Sequence, residues 1–143
     1  MRLWHKDLIA VLPNKQLLGQ WRECCAIASN IKTLGYPNHI LVNRIMDYHL
    51  SHFYKYCSLV SEEMYKRGFK LSDVAINKII EITDQDVRMG IEFITTKELF
   101  AGWHNDRYLL QCFYNLQEKY DCRGIKENEY NLILQEVNKY VQV

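Results

Sequence analysis

The chain of 143 residues contains no apolar run approaching the roughly 20 residues that a membrane-spanning helix requires. Its first residues, Met1, Arg2, Leu3, Trp4, His5, Lys6 and Asp7, lack the apolar stretch and small-residue cleavage site of a secretory leader. A soluble, cytoplasmic protein is the expectation. Five cysteines, an odd number at irregular spacing with no Cys-x-x-Cys pair, argue against a disulfide framework and offer no structural zinc site. With 48% apolar residues, 24% charged residues and only two prolines, the composition is that of one globular domain spanning residues 1–143. An overall basic excess is also missing, since 18 Lys and Arg against 17 Asp and Glu leave +1. That balance is uneven along the chain. Residues 1–72 hold ten Lys or Arg and five Asp or Glu, a net +5, whereas residues 73–143 hold eight and twelve, a net −4. The first half is suited to an anionic partner, although chance can also produce such a split.

What is present is helical patterning nearly throughout. Pro13 and Asn14 open a segment in which Leu17, Leu18, Trp21, Cys24, Cys25, Ala28 and Ile31 recur at helical spacing until Gly35, Tyr36 and Pro37 break it. A longer pattern from about His39 to Arg67 places Ile45, Met46, Phe53, Leu59, Val60 and Met64 on one side, with Gly68 to end it. Ser72 or Asp73 caps a third helix through Ile79 and Ile80, and Asn105 or Asp106 caps another through Leu109, Phe113 and Leu116. A last helix is expected from about Glu127 to Tyr140. The stretch from Gln85 to Gly102 is ambiguous, because Ile91, Phe93 and Ile94 suit a short strand and Lys97 to Phe100 a helical turn. An all-α single domain of about five main helices with short loops follows.

The polar face of the first helix stands out. With the Leu17, Trp21, Cys24 and Ala28 stripe turned inward, Gly19, Arg22, Glu23, Ala26 and Asn30 face outward. Small residues one turn either side of an Arg-Glu pair would let a nucleic-acid strand come close to a carboxylate and a guanidinium about 100° apart around the axis. The same residues equally describe a solvated charged face.

The run from Leu12 through Arg22 and Glu23, together with the helix from Phe53 that closes in Lys66, Arg67, Gly68 and Phe69, resembles the pyrimidine-dimer DNA glycosylase family. Arg2-Leu3-Trp4-His5, Trp103 to Tyr108 and Asn115 to Tyr120 extend the resemblance to a branch of short bacterial proteins. It implies a glycosylase with abasic-site lyase activity on ultraviolet-damaged, double-stranded DNA, needing neither metal nor organic cofactor. It also implies that the terminal α-amine attacks the sugar C1′, expels the base and forms an imine, after which β-elimination cuts the strand. Ordinary α-amines titrate near about 8, against about 10.4 for lysine, so more of the amine is nucleophilic at neutral pH. On this resemblance Glu23 stabilises positive charge developing on the sugar and assists proton transfer, and Arg22 holds a flanking phosphate. Because the bulky Arg2 follows it, Met1 is expected to be retained and to carry the amine. Gln16 and Ala26 depart from a histidine and an arginine of the family, and its basic aromatic tail is replaced by Asn138 to Val143.

DNA-binding candidates are Arg2, His5, Lys6, Lys15, Gln16, Arg44, His104 and Asn105. Lys6, Lys15, Arg2 and Arg44 suit backbone contacts. The Trp103-His104-Asn105-Asp106 segment precedes a helix amino terminus whose free N–H groups favour phosphate, and equally suits a helix cap beside a buried tryptophan. Trp4 and His5 suit a stacking role or, for Trp4, a core anchor. His49 and His52, three apart, lack a defined third metal ligand and fit partly buried histidines better. The expected protein is a monomeric repair glycosylase/lyase; the competing reading is a DNA-binding protein of the same fold without the imine chemistry.

Overall fold

The computed structural model describes residues 1–143 as six α-helices and three short 3₁₀ segments, with no strand. Residues 1–5 are extended, and a 3₁₀ turn over Lys6–Val11 leads into α1 (Asn14–Leu34). The other helices are α2 (Leu50–Lys66), α3 (Asp73–Glu81), α4 (Gln85–Gly90), α5 (Asp106–Asp121) and α6 (Glu127–Asn138). None is long and apolar enough to cross a membrane.

Helix boundaries follow local chemistry. α1 ends at Gly35, whose φ of 86° lets its N–H return to the Ile31 carbonyl at 2.9 Å. Ser72, Asp84 and Asn105 each place a side-chain oxygen on a backbone N–H three residues on, capping α3, α4 and α5. α1 packs on α2 and α3, α5 packs on α6, and the first 3₁₀ turn is held between α2 and α6. One continuous core of 30 buried residues results, centred on Leu17, Ile27, Phe53, Tyr56, Phe113 and Trp103. Arg67 ties the entrance of α1 to the end of α2. Its guanidinium donates to the carbonyls of Leu12 at 2.6 Å and Ala10 at 3.1 Å, to Asn14 Oδ1 at 3.0 Å and to Glu63 at 3.1 Å.

Two segments depart from the periodicity. The helix expected from His39 begins only at Leu50, because Asn43 Oδ1 takes the His39 N–H at 3.0 Å and the chain turns as a 3₁₀ helix over Asn43–Asp47. That turn buries Val42 and Ile45 and leaves Met46, expected inside, exposed. Side-chain competition for backbone donors is the physical reason. The ambiguous stretch forms α4, a 3₁₀ turn over Ile91–Phe93 and a series of turns up to Trp103 rather than a strand. Within it Phe100 is fully buried at a φ of 50°, an expensive conformation for a bulky residue. Its N–H donates to His52 Nδ1 at 3.1 Å, and its ring packs against those of Tyr48, Trp103 and His104.

Candidate active site

The extended amino terminus is the organising feature of the site. An extended segment inside a helical protein has no ladder to satisfy its backbone, so side chains must do so. The Trp4 N–H donates to Gln20 Oε1 at 2.6 Å, and Gln20 Nε2 donates to the Arg2 carbonyl at 2.9 Å. The Tyr56 hydroxyl donates to the Trp4 carbonyl at 2.6 Å and lies 2.9 Å from Gln20 Oε1. Tyr108 donates its hydroxyl to the Leu3 carbonyl, and the Lys6 N–H donates to His104 Nδ1 at 3.0 Å. Residues 2–6 are therefore strapped across α1, α2 and α5 by groups that are themselves buried.

The strap delivers the terminal residue to a cleft of about 340 Å³ lined by Met1, Arg2, Trp4, Lys15, Gln16, Gly19, Gln20, Glu23, Asn115 and Lys119. Met1 and Glu23 thus share one cavity. Glu23 Oε2 and Gln16 Oε1 are shielded from solvent and have no hydrogen-bond partner. Orphaned buried acceptors are rare because each costs the folded state, and both of these belong to residues that line the cleft. Gly19 keeps the floor open, since a Cβ there would meet nothing within 4 Å. A larger hollow between α1 and α3, about 460 Å³ and lined by Lys32, Lys78 and Glu81, contains no orphaned buried side-chain atom.

Of the residues singled out from sequence, Met1, Arg2, Lys15, Gln16 and Glu23 meet in the cleft. Arg2 also lays its guanidinium 5.6 Å from the Trp4 ring centroid. Arg22 does not line the cleft; it is exposed on the neighbouring side of α1. Arg44 is exposed, 5.5 Å from the Trp103 ring centroid. Asn105 is exposed but spends its side chain on the Tyr108 N–H and the Gly102 carbonyl.

Three candidates for DNA contact are interior instead. His5, Lys6 and His104 are only 2%, 8% and 5% exposed. Lys6 Nζ donates to the carbonyls of Leu99 at 2.7 Å and Lys97 at 3.0 Å, while His5 caps Asp7 and stacks on His104 with ring centroids 5.2 Å apart. These groups hold the strap and leave no face for a phosphate. Trp4, 9% exposed, is a core anchor at the cleft wall. His49 and His52 diverge, one capping α2 and the other accepting from Phe100, and no group of three potential ligands that could hold a metal forms anywhere.

Gln20, Asn115 and Lys119 are the site residues not singled out as candidates, although Asn115 and Lys119 fall in a stretch that carries the family resemblance. Their spacing of four on α5 puts them on one face, which is a legible signal for a shared surface but not for which surface it joins. Lys15 and Lys119 make the cleft mouth cationic around the buried carboxylate oxygen.

Burial holds the two strap histidines neutral. Desolvation brings His5 down to about 4, with a smaller opposing contribution from hydrogen bonding, and places His104 well below the ordinary range. The unfolded chain takes up protons below about pH 6.5 that the folded chain refuses, so their contribution is intact above that pH and is lost progressively toward about pH 4. Asp7, raised mainly by burial, returns some of it at the acid end. The melting temperature is expected to fall steeply between pH 6.5 and 4.5, with His5 alone accounting for about 2 kcal/mol. Calorimetry across that range checks it, and a flat profile would contradict neutral burial.

Comparison with known families gives one match: the family described as pyrimidine dimer DNA glycosylase covers residues 1–77, more than half of the 143 residues. This chain belongs to that family. The matched region holds the strap, α1 with Arg22 and Glu23, α2 and the start of α3, whereas Asn115 and Lys119 lie outside it. No curated protein and no solved structure matches significantly.

Proposed function

We propose that the protein is a glycosylase and abasic-site lyase that excises a damaged pyrimidine from duplex DNA through its terminal amine. The observation that carries this is that Glu23, with its buried Oε2 unpartnered, lines the same cleft as Met1. The amine lone pair attacks the sugar C1′ as the glycosidic bond breaks, and the base leaves with the electron pair and a proton. Opening of the C1′–O4′ bond then gives an imine. Loss of a C2′ proton expels the 3′ phosphate, so the strand is cut without metal or organic cofactor. Glu23 faces the positive charge that develops on the sugar and on the iminium, and is placed to relay the protons. Arg2, Lys15 and Lys119 at the mouth, with Arg22 and Arg44 outside it, supply phosphate contacts to a monomer acting in the cytoplasm.

Borohydride trapping on a duplex carrying an abasic site tests the proposal, because reduction freezes the imine as a stable amine. The adduct is expected on the amino-terminal peptide. Lys15 and Lys119 share the cleft, so peptide mapping is decisive: an adduct on either lysine, or no adduct with any damaged duplex, removes the terminal amine from the mechanism. Salt-sensitive binding without an adduct would leave a DNA-binding protein of the same fold.

A further inference from the structure

We propose that the loop after α1 carries a fixed apolar wedge, Ile40 with Leu41, which enters the base stack of the duplex a few steps from the reacting nucleotide. The inference rests on damaged duplex DNA being the substrate. Ile40 is 83% exposed and Leu41 48%, at the tip of a loop that is anything but slack. The His39 carbonyl accepts from the N–H groups of Val42 at 3.0 Å and Asn43 at 2.8 Å, and His39 Nδ1 accepts from the Leu41 N–H at 3.2 Å. Asn38 turns the chain at a φ of 59°, and fully buried Val42 anchors the far side. A loop tied this closely holds its apolar tip in solvent instead of folding it back on the core, an arrangement that favours a partner with a matching apolar slot.

The loop is fixed to the active face. Asn30 Nδ2 donates to the Pro37 carbonyl at 2.8 Å, and Asn30 follows Glu23 by seven residues on α1. Seven residues are nearly two turns, so the two side chains share a face within about 20° and lie about 10 Å apart along the axis. With the duplex laid along α1, the offset of about 10 Å between Glu23 and the loop's anchor at Asn30 corresponds to about three base steps at about 3.4 Å each. Charge selects the partner. Between Asp7 and Asp47 the only acidic residue is Glu23, while Lys15, Arg22, Lys32 and Arg44 carry positive charge, with Lys32 bridged to Glu81. Lys32, nine residues on from Glu23, lies on the opposite side of α1 against α3, and the other three cations around Glu23 suit a polyanion. Two projecting side chains are far short of the roughly 800 Å² per partner that a stable protein interface needs, but suffice to unstack a single base step. Opening the stack at a fixed distance bends the duplex onto the face and helps a weakened nucleotide leave the helix.

The test combines Ile40→Ala with Leu41→Ala in the full chain. Both positions are exposed, so the melting temperature is expected to hold. 2-Aminopurine is placed singly at positions one to six steps either side of an abasic-site analogue in a duplex. The wild type is expected to raise its fluorescence at one such step and the double variant to lose most of that rise. Borohydride trapping on abasic duplex is expected to slow about tenfold, while trapping on a single-stranded abasic oligonucleotide, which has no stack to open, stays unchanged. No fluorescence rise with wild type, or equal fluorescence and trapping in both proteins, overturns the wedge. The unstacking readout needs no chemistry. Wild type that never traps but still unstacks through Ile40 and Leu41 would therefore refute the lyase and leave the wedge standing.

Discussion

Glu23→Gln is expected to slow single-turnover cleavage at an abasic site by a factor of about 10² to 10⁴, without lowering thermal stability. The two halves of this outcome have one cause. Glu23 Oε2 is screened from water and lacks a donor, so in the absence of DNA this unmet acceptor is a cost to the folded state. An amide of the same shape is less expensive to hold there, and stability is expected to stay level or rise by up to about 1 kcal/mol. In the proposed reaction the Glu23 carboxylate stands against a cationic sugar and iminium, where an uncharged amide contributes little. Glu23→Asp keeps the charge but draws it back by about one bond, and an intermediate rate is expected. Single-turnover kinetics on abasic duplex, with melting measured on the same preparations, separate the cases. A variant that loses stability and activity together would assign Glu23 to the scaffold, and one that keeps full activity would remove it from the chemistry.

The same residue shows how far the amino-acid sequence could be read. The α1 boundaries, the Ser72 and Asn105 caps and the all-helical class were legible because helix chemistry is local: a capping oxygen, a glycine at positive φ, apolar residues at helical spacing. The outward position of Gly19, Glu23 and Asn30 followed from that spacing. Long-range placement was not legible. Nothing local reveals that residues 1–5 run extended through the molecule, since their backbone partners are Gln20, Tyr56, Tyr108 and His104 on distant elements. The one signal was Gln20, a polar residue within the apolar stripe between Leu17 and Trp21. For the same reason Lys6, His5 and His104 read as surface groups from their chemistry, whereas the strap's unpaired backbone and the Lys97 and Leu99 carbonyls drew them inside. Asn43 halted a helix that periodicity alone would have continued from His39.

Gln20→Leu is expected to lower stability by about 2 to 4 kcal/mol and to slow the covalent step about a hundredfold or more in the protein that remains folded. Gln20 is 1% exposed and serves the strap from both ends of its amide, accepting from Trp4 and donating to Arg2. Leucine fills the volume but strands the Trp4 N–H and the Arg2 carbonyl, and takes an acceptor away from Tyr56. The loss reaches the chemistry because Met1 has no anchor of its own closer than Arg2, so slack in the strap becomes displacement of the amine. A nucleophile displaced by about 1 Å loses about two orders of magnitude in rate. The phosphate contacts proposed for Lys15, Arg22 and Arg44 do not pass through Gln20, so affinity for abasic duplex should change little while the single-turnover rate falls. Gln20→Glu supplies the control. Its carboxylate still accepts from Trp4 but cannot donate to Arg2 until protonated, so its trapping rate relative to wild type is expected to recover as pH falls toward 5. A purely structural role would lower affinity and rate in proportion to the unfolded fraction and give Gln20→Glu no such relative recovery. A fall in rate at constant affinity, reversed by a proton on residue 20, would identify Gln20 as the residue that aims the amine at the cleft.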